Sequence, residues 1–432
     1  MDRREFLKGS VTSVAGLAVG GCATSATVQG TAVPEAGRFD VIVVGGGPAG
    51  VCAAIAAARN GAKTLVVEKG NCLGGMATRG VVGPFMTCYD KSGRNQVVRG
   101  LFDEIVRRLI ACGGAIHPKD VRAGTPYTAW ITRGHDHVTP FDPDQLKFVL
   151  DDLCGEAGAA VLYHADFVRP LMAGARVTGV VVQTKAGLLS YAAKVVIDAT
   201  GDGDVAYRAG VPCVAGDPGR NGAMQPATTF FRIAGLPRAV LEEDFRRHGG
   251  GMDNRLLSWY VSKAKAAGAW HIPRPHVNLY LGVRDDEWFV NVSRLNGVDA
   301  TDPKSLSAAE TEGRRQVREV LSLLRTYLPG GEKIRLASLA CTLGIWFGPA
   351  GAWGCAVGNL NDVVTVLERH MPDIIALQEC NGKSFTGAVD KFISVHPEYK
   401  IVKRKHDDGN NVAGASGTFY NRWNASMYST GE

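Results

Sequence analysis

The chain has 432 residues, 45% hydrophobic and 21% charged, which is globular material with room for two or three packed domains. Its 54 glycines fit a fold of many tight strand–helix turns better than a helix bundle. A net charge of +6 with no Lys/Arg block in the body of the chain tolerates an anionic ligand but leaves no footprint for nucleic acid, and ten cysteines without a CxxC pair give no local zinc-ribbon or iron–sulfur signature.

Residues 1–36 read as export signal and linker. Arg3-Arg4 followed by Phe6-Leu7-Lys8 resembles a twin-arginine signal, and the apolar stretch Val11 to Val19 is too short to span a bilayer and suits a cleavable segment. Val19-Gly20-Gly21-Cys22 resembles a lipobox, which makes Cys22 the candidate lipid anchor. The expectation is a periplasmic protein, or one anchored on the outer face of the inner membrane or on the outer membrane. Ala23 to Gly37, small and polar, reads as a tether.

The strongest pattern follows. Phe39 to Val44 is a β-branched run of the kind a buried parallel strand needs, and it enters Gly45-Gly46-Gly47-Pro48-Ala49-Gly50 directly. A helix is predicted over Val51 to Asn60, stopped by Gly61, and a second strand, Lys63 to Val67, ends on Glu68. In such a unit Gly45 permits the tight turn, Gly47 lets the backbone approach a pyrophosphate, and Gly50 lets helix and strand pack closely. The helix N-terminus, beginning at Pro48 and Ala49, offers N–H groups to phosphates, and Glu68 accepts from an adenosine ribose. Together they specify a Rossmann-type dinucleotide site.

Cys72 to Gly80 is a second glycine-rich loop just beyond that acid, and it resembles the loop that runs along the flavin in glutathione-reductase-like flavoproteins. The resemblance selects FAD and adds Lys69, Gly74, Gly75, Met76 and Thr78 to the cofactor-binding set. Further on, Phe141-Asp142-Pro143 opens a helix ending near Gly155, and strands are predicted at Val161 to His164 and Gly179 to Thr184. Lys194 to Asp198 is a β-branched strand running into Ala199-Thr200-Gly201-Asp202, the return from a substrate domain to the cofactor sheet in such flavoproteins. This places Thr200, Gly201 and Asp202 beside the nucleotide.

Residues 39 to 345, about seven-tenths of the chain, thus resemble the FAD-dependent oxidoreductase family related to the heterodisulfide reductase A subunit. Met224 to Phe230, Thr301-Asp302-Pro303 and the predicted helix from Ala309 to Leu324 support the match. The resemblance implies a glutathione-reductase-like α/β fold with an inserted substrate domain over 37–345, FAD as cofactor, and a small-molecule substrate with a separate electron acceptor. No catalytic acid or base and no metal ligand is singled out, because the isoalloxazine ring carries the chemistry in flavoenzymes. Asp202 and Asp204 read as helix-cap or turn residues. Cys72 lacks a second cysteine to act as a redox pair, His135 and His137 read as a solvated loop, and Ser190 to Gly216 with Trp288 and Phe289 read as core.

Beyond Ile345 the pattern changes. Residues 346–432 lack the closing segment of the flavoprotein family. Asn361 to Glu379 instead resembles the endonuclease–exonuclease–phosphatase superfamily: an amphipathic helix, Pro372-Asp373, and a strand delivering Gln378-Glu379. In that superfamily the position of Glu379 binds a divalent metal, but its later histidine and aspartates have no counterpart here. Tyr399 to Val402 and Ser416 to Tyr420 read as further strands of a truncated α/β-sandwich-like fragment. The leading expectation is an exported FAD-dependent oxidoreductase. A non-catalytic flavin-binding chimera and a metal-dependent phosphodiesterase are the alternatives.

Overall fold

The computed structural model describes residues 33–90, 92–213, 224–248 and 256–344, with three short strands beyond them. Its first layer is a six-stranded mixed sheet. Strand β1 (Glu35–Val44) lies between β2 (Thr64–Val67) and β6 (Gly187–Asp198), parallel to both, and β3 (Ala160–Leu162) pairs parallel with β2. Antiparallel β5 (Arg176–Thr184) and β4 (Asp166–Ala173) extend the sheet beyond β6, giving the order β3-β2-β1-β6-β5-β4.

The apolar run that begins at Val41 is buried on both faces, as a central parallel strand requires. Val43 and Val66 pack with helices α1 (Pro48–Arg59), α2 (Leu101–Ala111) and α3 (Pro143–Ala157) through Val51, Ile55, Leu109, Leu146 and Leu153. Ile42, Val44, Leu65 and Val67 pack on the other face with Val180, Val182 and Val205, the last from α4 (Asp204–Arg208). Helix α3 starts where the sequence places it, because Asp142 accepts from Asp144 N at 2.9 Å and Pro143 occupies the first turn.

Three expectations need correction. The tether ends earlier than Gly37: Glu35 to Arg38 are already strand, because the long β6 gives them a partner and Ser190 donates from N and Oγ to Pro34 O at 2.8 and 3.0 Å. Strand β6 begins at Gly187 rather than Lys194, as the third strand of a meander with β4 and β5. Ser190 to Gly216 is not a core segment. Gly201, Asp202, Asp204 and Tyr207 are exposed, the strand before them is half-buried, and residues 214–216 lie outside the described residues. Trp288 and Phe289 are core, as expected, at 0% and 1% exposure.

The second layer is an antiparallel sheet of β7 (Phe231–Ala234), β8 (Asn278–Leu281), β9 (Trp288–Asn291) and β10 (Arg335–Leu339), in the order β10-β7-β9-β8. One face carries Phe231, Ile233, Leu279, Leu281, Trp288 and Val290. It packs on α5 (Arg238–His248), α6 (Ser258–Ala266) and the 25-residue α7 (Pro303–Tyr327). Asp302 caps α7 by accepting from Lys304 N and Ser305 N at 3.0 and 3.2 Å, which explains the Thr301-Asp302-Pro303 pattern and carries the helix beyond its predicted limits at both ends. The two layers meet through Cys341 N, which donates to Arg79 O at 2.8 Å, while the bridge between Thr228 and Gly344 continues the β7–β10 pairing.

Beyond Gly344 the described residues are β11 (Ile374–Leu377), β12 (Tyr399–Ile401) and β13 (Ala425–Ser429), paired antiparallel in the order β11-β13-β12. Strands therefore form at two of the three positions expected there. Glu379 and Ser416 to Tyr420 lie outside the described residues, as do Arg3, Arg4 and Cys22. Among the described residues no helix is long and apolar enough to cross a membrane.

The helix–sheet core predicts a definite response. Leu153 is fully buried between α1, α3 and the sheet, so Leu153→Ala should destabilise the protein by about 2–5 kcal/mol in chemical denaturation.

Candidate cofactor site

The carboxyl ends of β1, β2 and β6 converge, and the glycines at that edge are dictated by contact. Gly45 has φ +101° and an added Cβ would overlap Ala199 O, while a Cβ at Gly50 would overlap Gly45 O. Gly47 differs, for a Cβ there would meet nothing within 4 Å. Its freedom is not consumed by packing, so it leaves an open cradle. Pro48 and Ala49 beside it are exposed, Gly47 caps α1 without a side chain, and no acidic residue occupies the first turn. The positive end of α1 and its free N–H groups therefore face open space, the arrangement that receives a pyrophosphate.

The second loop is built onto the first. Gly74 N donates to Gly46 O at 2.8 Å, and a Cβ on Gly75 would come within 3.0 Å of Gly47 Cα. Thr78 is buried and its hydroxyl donates to Leu73 O at 2.6 Å, so it closes the loop from within. Met76 is half-buried and Lys69 is exposed at the rim. Glu68 lies at the centre, 5% exposed. Its Oε2 accepts from Gly46 N at 2.7 Å, its Oε1 accepts from Gly70 N at 2.6 Å, and Arg79 Nη1 stands 3.4 Å from Oε1. A ribose hydroxyl would join a carboxylate already oriented by the chain. Arg79 lies within the second glycine-rich loop, and its pairing with Glu68 appears only in three dimensions.

The third strand end is organised by Asp198, which sequence reasoning passed over. Its Oδ1 accepts from Thr200 N and Oγ1 at 3.1 and 2.7 Å, and its Oδ2 accepts from Ala206 N at 2.9 Å. Thr200 Oγ1 in turn accepts from Asp204 N at 3.0 Å. Asp198 thus performs the turn-fixing role expected of Asp202 and Asp204, and Gly203 is the N-cap of α4. Asp202 keeps an open surface, yet the protein crowding its carboxyl, then the charge of Asp204 and, more weakly, Asp198, raise it to about 6 against the pull of Lys69. Asp204 is raised as well, by burial and then Asp198.

Two other expectations change. His135 and His137 are not a solvated loop; they are 0% and 3% exposed. His137 bonds to Pro118 O at 2.9 Å and Gly93 O at 3.0 Å and stacks on Tyr89, while His135 bonds to Arg133 O at 3.0 Å and stacks on Tyr280. The partners of His137 are distant in sequence and separate from those of His135, and among the described residues no cluster of three metal-ligating side chains forms. The cysteines divide: Cys72, Cys88 and Cys154 are buried, but Cys112, Cys213 and Cys341 are exposed. The Cys72 thiol lies 3.7 Å from Thr78 Oγ1 inside the loop.

The geometry makes two predictions. Gly47→Val projects into open space, so it should abolish flavin retention while leaving the far-UV circular dichroism unchanged; Gly50→Val, which strikes Gly45 O, should lose both. Stoichiometric flavin in Gly47→Val would sink the cradle. Secondly, Asp202 sits above its ordinary 3.8, so its protonated form favours the fold and its contribution declines as pH rises from about 4 through about 6. Asp202→Asn should flatten the fall in Tm of the flavin-free protein across that window.

Part of the chain is 31% identical over 170 residues to a thiamine thiazole synthase of Methanococcus maripaludis, a match covering 38% of this chain and 55% of that one. The chain spans about half the length of that curated relative. Among solved structures, p-nitrophenol 4-monooxygenase of Pseudomonas putida aligns over 70% of this chain and 67% of its own, at 16% identity and TM-score 0.43. The L-proline dehydrogenase of P. horikoshii aligns over 73% and 82%, at 14% identity and TM-score 0.42. Residues 40–345 match the FAD dependent oxidoreductase family, and the cradle at Gly47 fits the pyrophosphate of FAD. The chain belongs to the FAD-dependent oxidoreductase family, with FAD as its cofactor.

Proposed function

We propose that the protein is an exported FAD-dependent oxidoreductase acting on a small-molecule substrate and delivering electrons to a separate acceptor. The observation that carries this reading is the Gly45-to-Gly50 turn, open at Gly47 onto the N-terminus of α1 while the neighbouring glycines are closed by packing. FAD, when bound, supplies the electron-transfer chemistry. The chain's own part is to orient and shield it. Gly47 and the first turn of α1 hold phosphate, Glu68 takes the ribose, and the Gly74–Gly75 loop covers the first turn. Asp202, with its carboxyl near 6, changes charge close to physiological pH at the rim of the site. Within the family, Met224 to Phe230 and Thr301-Asp302-Pro303 support a place near the heterodisulfide reductase A subunit.

The absorbance spectrum of the purified protein should show a flavin band that bleaches under a reductant and returns with an electron acceptor. A spectrum without flavin defeats the reading, and flavin that never turns over supports a non-catalytic binder instead.

Export is supported by Arg3-Arg4, the short apolar Val11 to Val19 stretch and Cys22. Replacing both arginines with lysine should hold the precursor inside the cell, while Cys22→Ala should move the protein to the soluble fraction. Unchanged fractionation of the double lysine variant would refute export by this route.

A further inference from the structure

The face of the second sheet turned toward the cofactor loop carries charge that the described residues do not neutralise. In an antiparallel pair, directly opposed residues share a face. Asn278 opposite Asn291 and Tyr280 opposite Phe289 therefore form one patch. Tyr280 and Phe289 pack with Val81, just past the second glycine loop, whereas Leu279, Leu281, Trp288 and Val290 fill the opposite core. The two asparagines thus lie on the cofactor-loop side. Arg274 reaches this patch, its Nη1 donating to Asn291 O at 3.2 Å and Oδ1 at 3.4 Å, and it is only 8% exposed. Half-buried Arg294 follows β9. Its backbone is clamped by buried Gln316, which accepts from Arg294 N at 2.8 Å and donates to Arg294 O at 3.2 Å.

Among the described residues no carboxylate pairs with either guanidinium. Arg232, equally buried at 7%, shows the usual arrangement: Glu287 stands 2.5 Å away and Phe289 lies beneath. Buried charges are paired because an uncompensated one is costly to hold out of water. Around Arg274 the field is positive. Burial and then Arg294 lower it to about 10, and burial with Arg274 and Arg294 lowers His276 to about 4. His276 is accordingly neutral near pH 7, and the unbalanced charge belongs to the two arginines.

We propose that Arg274 and Arg294, with Asn278 and Asn291 beside them, bind a carboxylate on the substrate of the oxidoreductase. The proposal rests on the oxidoreductase reading above. A guanidinium fork matches a carboxylate edge to edge, and an asparagine amide adds a donor in the same plane. The interaction is ionic and hydrogen-bonded, and no covalent bond changes.

The test titrates the purified holoprotein with sodium benzoate and sodium succinate, with benzamide and inorganic phosphate alongside, reading Tm and the flavin absorption band. The carboxylates should raise Tm saturably and perturb the band, and benzamide should do neither. Arg274→Gln and Arg294→Gln should each weaken carboxylate affinity at least tenfold while flavin is retained. Arg274→Gln should also raise the Tm of ligand-free protein, since it removes an unbalanced buried charge; a lowered Tm marks a structural arginine and counts against the site. If Arg274→Gln does not fold, Arg294→Gln carries the same comparison. Equal responses to benzoate and benzamide, or unchanged carboxylate affinity in Arg294→Gln, overturn the proposal, and a response to phosphate alone overturns the carboxylate class. Protein that purifies without flavin yet binds carboxylates in this pattern would defeat the oxidoreductase reading and leave the anion site standing.

Discussion

At the cofactor edge the molecule depends on one buried anion. The turn after β1 and the loop after β2 are irregular, rich in glycine, and outside any strand ladder. Glu68 accepts a backbone N–H from each, Gly46 on one side and Gly70 on the other, with Arg79 alongside. Charge-assisted bonds of this kind are among the stronger ones available to a chain. Their loss would leave two N–H groups unsatisfied in a closed region, at about 1–3 kcal/mol each. Glu68 therefore sets the spacing of the two loops through the chain's own bonds, with no ligand required. Pre-setting that spacing lowers the ordering cost of binding.

The same loop couples the two layers. Arg79 balances Glu68 through its side chain and receives Cys341 N through its carbonyl. A few residues on, an added Cβ at Gly83 would come within 2.9 Å of Phe289. The segment that follows the cofactor loop thus packs directly on one face of the second sheet.

What the sequence made legible was local. Strand, turn, helix, strand and terminal acid over residues 39–68 follow from patterns within a few residues of each other, and so does the Asp-Pro helix start at Asp142, whereas the same pattern at Asp302 showed itself as a cap only in the structure. What escaped depended on partners far along the chain. Glu35 to Arg38 became strand because β6 lay beside them, and β6 was long because β5 needed a neighbour. His135 and His137 looked polar and exposed between Gly134 and Pro140, but the carbonyls of Gly93 and Pro118 gave His137 buried partners and the ring of Tyr280 covered His135. Asp198 and Arg79 were visible as residues, while their bonds were not. For Arg274 the telling fact is that no carboxylate among the described residues pairs with it, which no sequence pattern displays.

Strand β4 has a consequence for how the chain meets other chains. The six-stranded sheet ends on β3, three residues long, and on β4, which carries Pro170 with exposed Asp166 and Arg169. A short edge and an edge interrupted by proline and charge are poor templates for strand addition. In the second sheet, β10 is irregular between Leu336 and Ser338 and begins on exposed Arg335. Three sheet borders thus resist recruiting another chain, so strand-by-strand association is blunted where the sheets are open.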